Sequence, residues 1–170
     1  DLAKFVRAGN TRDLFANREV VSLLTGEPEY LDPLKKEAPE GWLVTGYPWD
    51  QIDIAEHKAF LAAYQKKYDD YPRTGSIVGY SMVKALAAGL KAAGSADSQA
   101  LIKAFRGLRF DTPFGPAMFR EQDQQSTLGA FVGRTTQVDG KGTMKDFAYQ
   151  DGADFQPSDK EVMTLRGGSQ

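Results

Sequence analysis

The sequence predicts an α/β fold, and three stretches predict it. A short apolar strand, Val20 to Leu24, leads into the polar loop Thr25 to Tyr30, a short helical segment and a second strand, Gly41 to Gly46, which runs out through Tyr47-Pro48-Trp49. Strand, loop, helix, strand is the unit of an open parallel sheet, whose ligands sit at the carboxyl ends of the strands. Three amphipathic helices then follow one another between Asp53 and Gly107 with no strand between them. From Arg109 the texture is β, and Asp139-Gly140-Lys141-Gly142 reads as a hairpin turn.

Each element has its own reason. Asp1 to Gly9 reads as the tail of a helix, with Leu2, Phe5 and Val6 on one face and Gly9 as its stop. Val20 to Leu24 is apolar almost throughout, as a strand covered on both faces is. Pro33 suits the first turn of the helix that follows, where a missing N–H costs little. Asp53 and Glu56 have the spacing of a capping box, and Phe60, Leu61, Tyr64 and Tyr68 give that helix one apolar face. Ser76 starts a longer helix with Ile77, Tyr80, Val83, Leu86, Ala87 and Leu90 inward, and Gly94 stops it. Ser95 or Asp97 caps a third, with Leu101, Ile102 and Phe105 inward. Phe110 to Pro116 is too rich in proline for a central strand and reads as an extended connection. A short strand, Ala117 to Arg120, precedes the hairpin; Ser158 to Glu161 caps a last short helix, and residues 167–170 fray.

Composition excludes several functions. The chain has 170 residues, 41% hydrophobic and 26% charged, an ordinary globular balance. A net charge of −2 offers no field for nucleic acid or an acidic membrane. No apolar run approaches the ~18 residues that a membrane helix needs. Cysteine is absent, which removes thiol catalysis, thiolate metal sites and disulfides and fits an exported protein. His57 is the sole histidine and, beside Glu56 and Lys58, reads as a solvated surface residue. No metal or cofactor set stands out. There is no initiating Met and no signal peptide, so Asp1 reads as a processed or truncated start. Three long helices also need more sheet to cover than these strands provide, which suggests one part of a larger protein.

The ordered set Gly26-Glu27-Pro28-Glu29-Tyr30-Leu31, Glu40-Gly41-Trp42-Leu43-Val44-Thr45-Gly46-Tyr47-Pro48-Trp49, Gly79-Tyr80-Ser81 and Asp111-Thr112-Pro113-Phe114-Gly115-Pro116 resembles the C-terminal half of branched-chain amino-acid-type solute-binding proteins of ABC transporters. These are bilobal type I periplasmic binding proteins about twice this length. The resemblance implies that residues 1–46 are part of the second lobe, 47–52 a hinge crossing, 53–111 the helical layer of the first lobe, 112–116 the crossing back, and 117–170 the strands and tail that finish the second lobe. The N-terminal half is then missing, and with it the hydroxyls that hold a ligand carboxylate in this family.

Glu27 is the leading site residue. The resemblance implies that an acid here receives the ammonium of an amino-acid ligand, a charge-assisted hydrogen bond stronger than a neutral one. A loop acid near a helix N-terminus is also favourable in its own right. Glu29 is the second candidate. Tyr30, Tyr47 and Trp49 can wall an apolar ligand, or, for the last two, pack the hinge. Ser76 and Tyr80 open a helix whose free N–H groups suit a carboxylate, or serve ordinary capping and packing. Together these imply non-catalytic, extracytoplasmic capture of an aliphatic amino acid or a related small carboxylate such as an aromatic acid, delivered to an ABC-transporter permease. A ligand-sensing receptor domain of the same fold is the alternative. A glycoside hydrolase using Glu27 and Glu29 as an acid/base pair is disfavoured, because residues two apart on one loop rarely face each other across a substrate. A chain lacking part of its sheet should also self-associate.

Overall fold

The computed structural model describes residues 1–166; the expected fraying of 167–170 lies outside the described residues. In chain order the elements are α1 (Leu2–Asn10), β1 (Val21–Gly26), α2 (Pro28–Leu34), β2 (Leu43–Gly46), α3 (Ala55–Tyr68), α4 (Thr74–Ala93), α5 (Ser98–Ala104), β3 (Arg109–Thr112), β4 (Gly115–Met118), β5 (Ala130–Val138), β6 (Lys141–Gln150) and α6 (Asp159–Leu165). They divide into two compact units, each made of separate pieces of chain.

The first unit takes Asp1–Ile52, Leu61–Ser76 and Ala130–Gln150. Its four-stranded sheet runs β1-β2-β5-β6. The first pair is parallel, as the strand–helix–strand unit predicts, and the other two are antiparallel. Val6 of α1, Leu31 and Leu34 of α2, Trp42, Val44 of β2 and Met144 of β6 form the core. The β5–β6 turn is Asp139-Gly140, both at positive φ (51° and 73°), the conformation that matches strand twist in a two-residue hairpin.

Several expectations fail here for identifiable reasons. β1 is not covered on both faces: it is an edge strand, and Val21, Leu23 and Leu24 are exposed. The polar loop is shorter than expected, because Pro28 and not Pro33 takes the first helical position, and Pro33 falls near the end of α2. Phe5 is exposed, and Gly9 does not stop α1, which runs on to Asn10; the Phe15 ring lies where a side chain at Gly9 would be.

The second unit takes Asp53–Phe60, Ile77–Gly129 and the chain from Asp151 onward. Ala85, Phe110 and Ala117 form its core, with Ala88, Phe119 and Leu128 packed on them. The buried face of α4 is Ile77, Ser81, Ala85 and Gly89, one residue every turn. The expected inward residues Val83, Leu86 and Leu90 are instead exposed. The reason is close approach: a Cβ at Gly89 would stand 2.5 Å from the Phe105 ring, so small residues face the aromatic side. Ile102 of α5 is likewise exposed.

Helix starts shift by a residue or two. α3 begins at Ala55, and the Asp53 carboxylate pairs with Lys58 rather than closing a capping box with Glu56. α4 begins at Thr74, not Ser76. Asp97 caps α5 by accepting from the Gln99 and Ala100 amides, and Ser158 and Glu161 form the expected capping box at α6. Phe110 to Pro116 is not a connection but the body of the β3–β4 hairpin, turned at Pro113-Phe114, with Gly115 after the turn at φ 108°. Pro113 sits in the turn, and Pro116 is tolerated in β4 because the sheet has two strands and its outer edge needs no N–H. His57 is fully buried against Phe114, ring centroids 6.3 Å apart and nearly parallel, and burial lowers its pKa. It is not the surface residue its charged neighbours suggest.

Candidate functional site

The candidate site is the carboxyl end of β1 and the turn into α2. β1 and β2 close on each other through a glycine pair, Gly26 opposite Gly46, and the Tyr47 amide donates to Gly26 O at 3.2 Å. A Cβ on Gly46 would fall on the Gly26 carbonyl and the Met144 sulfur, so only glycine permits this approach. The two strand ends are thereby held side by side, with Glu27 leaving one and Tyr47 leaving the other.

Glu27 is the N-cap residue of α2 in extended conformation (φ −85°, ψ 141°), but its side chain does not cap the helix. Pro28 at the first helical position has no N–H to offer it. The carboxylate is half-buried, and no lysine or arginine among the described residues pairs with it. Burial raises its pKa above the usual carboxylate range, and the nearby negative charge of Glu29 raises it further. A carboxylate in this state gains from any donor that approaches it.

Glu29 is engaged within the protein. Its Oε1 accepts from the Gly75 amide in the first turn of α4 at 3.1 Å. A carboxylate there is favoured by the free amides and by the helix dipole. Tyr30 is partly buried, and its amide donates to Glu27 O. Tyr47 is 2% exposed, and burial pushes its phenol pKa strongly upward. Trp49 stacks on Tyr71, centroids 4.3 Å apart and planes 8° from parallel. The Ser76 hydroxyl donates to the Tyr64 phenol oxygen at 3.3 Å. These six sequence-derived candidates belong to the first unit. Tyr80 belongs to the second, where its ring meets Phe60 at 4.8 Å.

Sequence reasoning missed the group around Tyr71. Arg73 lies over the Tyr71 ring at 4.3 Å, pairs with Asp70 at 2.7 Å and reaches Asp32 at 3.5 Å. The Asp32 carboxylate lies close to the Tyr71 phenol. The phenol pKa is pushed up to about 12, by burial first and then by that carboxylate. The signal was available: an acid–aromatic–proline–arginine run is more than a helix terminator.

Among the described residues no three acidic or histidine side chains gather as metal ligands, and no helix is long and apolar enough to cross a membrane.

Comparison with known proteins agrees. Residues 1–142 match the family model described as periplasmic binding protein. The structure superposes on an amino acid ABC transporter substrate-binding protein from Pseudomonas fluorescens with a TM-score of 0.76 and 18% identity, over 93% of this chain and 43% of that one. It superposes on a leucine-, isoleucine-, valine-, threonine- and alanine-binding protein from Brucella ovis at 0.75 and 18%, over 93% and 42%. A solute-binding protein from Rhodopseudomonas palustris in complex with 4-hydroxybenzoate gives 0.71 and 22%, over 88% and 42%. The chain thus spans less than half the length of each of these proteins. No curated protein sequence matches significantly. The fold is the type I periplasmic-binding-protein fold, and this chain belongs to the periplasmic binding protein family.

Proposed function

We propose that this chain is part of a protein that captures a small solute outside the cytoplasm and delivers it to the permease of an ABC transporter. The solute presents a hydrogen-bond donor to Glu27. An aliphatic, branched-chain-type amino acid does so with its ammonium group. The observation that supports this reading is the half-buried Glu27 carboxylate, left without a cation at the end of a parallel strand. A hydroxylated aromatic acid is the second reading. Its phenol can donate to the same carboxylate, and a structural neighbour is described in complex with 4-hydroxybenzoate. Tyr30 and Trp49, both partly exposed, are candidates for a flat apolar wall for either class, whereas Tyr47 is buried at the strand end. Ser76 and Tyr80 remain candidates for a ligand carboxylate.

The test is a thermal-shift and calorimetric screen with L-leucine, L-valine and 4-hydroxybenzoate. A solute at about 100-fold its Kd should stabilise the chain by roughly 2.7 kcal/mol. Glu27→Gln should weaken binding of an amino acid by about 2 kcal/mol, or roughly 30-fold, because it removes a charge-assisted contact. Undiminished binding by Glu27→Gln overturns the assignment of Glu27, and a flat response to all three solutes removes the capture reading for this chain.

A further inference from the structure

Glu27 and Glu29 are two residues apart with the same side chain, yet the structure gives them different surroundings. Glu29 and Asp32 are separated by one helical turn, so they lie on the same flank of α2. That flank faces the segment from Asp70 to Ser76. Glu29 accepts from the Gly75 amide, while Asp32 pairs with the Arg73 guanidinium at 3.5 Å and lies close to the Tyr71 phenol.

The segment itself is held rigidly. Trp49 covers one face of the Tyr71 ring at 4.3 Å, which leaves the opposite face for the Arg73 guanidinium, also at 4.3 Å. Arg73 further donates to Asp70 at 2.7 Å and to Tyr71 O at 2.8 Å, and Pro72 between them is fully buried. The Tyr71 ring is thus covered by the Trp49 indole and by the Arg73 guanidinium, which also keeps two carboxylates. Gly75 follows two residues later. Its amide is therefore presented to α2 at a fixed place.

We propose that Trp49, Tyr71, Arg73 and Asp32 are a positioning unit that ties α2 to the first turn of α4 and commits Glu29 to the Gly75 amide, leaving Glu27 as the one carboxylate of this turn available to a solute. This rests on the reading of Glu27 as the solute contact. It makes specificity a matter of charge count. One free carboxylate suits a solute with a single ammonium or phenol donor. Releasing Glu29 would present two, and would move preference toward diamines.

The experiment needs no solute. Proton–nitrogen NMR of the full chain follows exchange of the Gly75 amide with solvent. Glu29→Ala, which removes the acceptor, should speed that exchange about tenfold or more, the expected cost of losing a hydrogen bond to a charged group. Arg73→Gln should speed it about as much, and Tyr71→Phe, which keeps the ring and removes only the hydroxyl, should speed it by a smaller factor. The amides of the β5–β6 hairpin serve as the folded control. Unchanged Gly75 exchange in Arg73→Gln overturns the proposal. So does unchanged exchange in Glu29→Ala. Either failure leaves the reading of Glu27 standing, and a failed solute screen leaves this result untouched.

Discussion

A carboxylate held half out of water with no cation beside it costs the folded chain free energy, and Glu27 is in that position. Its pKa is raised above 4.5 on folding, by burial and by Glu29. The unfolded chain therefore ionises first as pH rises, and stability is lost as pH climbs through the folded pKa. Glu27→Gln should accordingly melt higher than the unaltered chain at pH 7, with the gap closing toward about pH 4. Water still reaches the group, so we expect a gain of no more than about 2 °C, read by calorimetry across pH. Equal melting temperatures throughout would mean that the charge is compensated. A stabilised but non-binding variant is what a binding residue should give, because function keeps a group that stability would discard. In the sequence it was the resemblance, more than residue type, that singled out Glu27. His57 was not legible, since its neighbours Glu56 and Lys58 dominated the reading. Its phase held the better signal: His57, Phe60 and Tyr64 stand at i, i+3 and i+7, on one face of α3.

At the scale of elements, the parallel pair and the Asp139-Gly140 hairpin could be read directly, because apolar runs and turn residues leave local marks. The face of α4 could not. Sequence reading puts large apolar residues inward, whereas the approach of Phe105 selects the row ending in Ala85 and Gly89. Which face is buried depends on the neighbour, and the neighbour is not in the local pattern. The β3–β4 hairpin was hidden for a related reason: Pro113 and Pro116 argue against a central strand, but this pair has no further strand beside it. The Gly26–Gly46 contact gives a sharp test. Gly46→Ala drives a methyl into the Gly26 carbonyl, and backbone cannot step aside as a side chain can. We expect a loss of about 3 kcal/mol, at the upper end of overpacking costs, measured by urea unfolding. Gly75→Ala, where nothing lies within 4 Å of the added carbon, is the comparison and should change stability little. A small effect at Gly46 would show that β1 can slide away from β2.

For the molecule as a whole, the ordered resemblance told more than any single motif, because it pairs elements in a sequence of appearance that chance rarely reproduces. It could not tell which apolar surfaces stay open. Met82, Val83, Leu86 and Leu90 are exposed along α4, and Val21, Leu23 and Leu24 along β1. Contiguous apolar surface of this kind drives association in water. We expect the chain to sediment as oligomers at micromolar concentration, and Val83→Lys with Leu86→Lys to shift it toward monomers with unchanged helicity. A monomeric unaltered chain would refute this.

The sulfur lodged between the two strand glycines has a consequence for oxidative damage. Met144 is 1% exposed, whereas Met82 and Met163 are 66% and 48% exposed. Mild peroxide would convert the exposed pair to sulfoxides first, harmlessly for the sheet. Met144 is the residue whose oxidation would matter, since an added oxygen would enter the space that Gly26 and Gly46 keep clear. The two glycines and the thioether thus expose this strand end to damage by oxidants, and the tight packing that joins the strands is also what shields the sulfur.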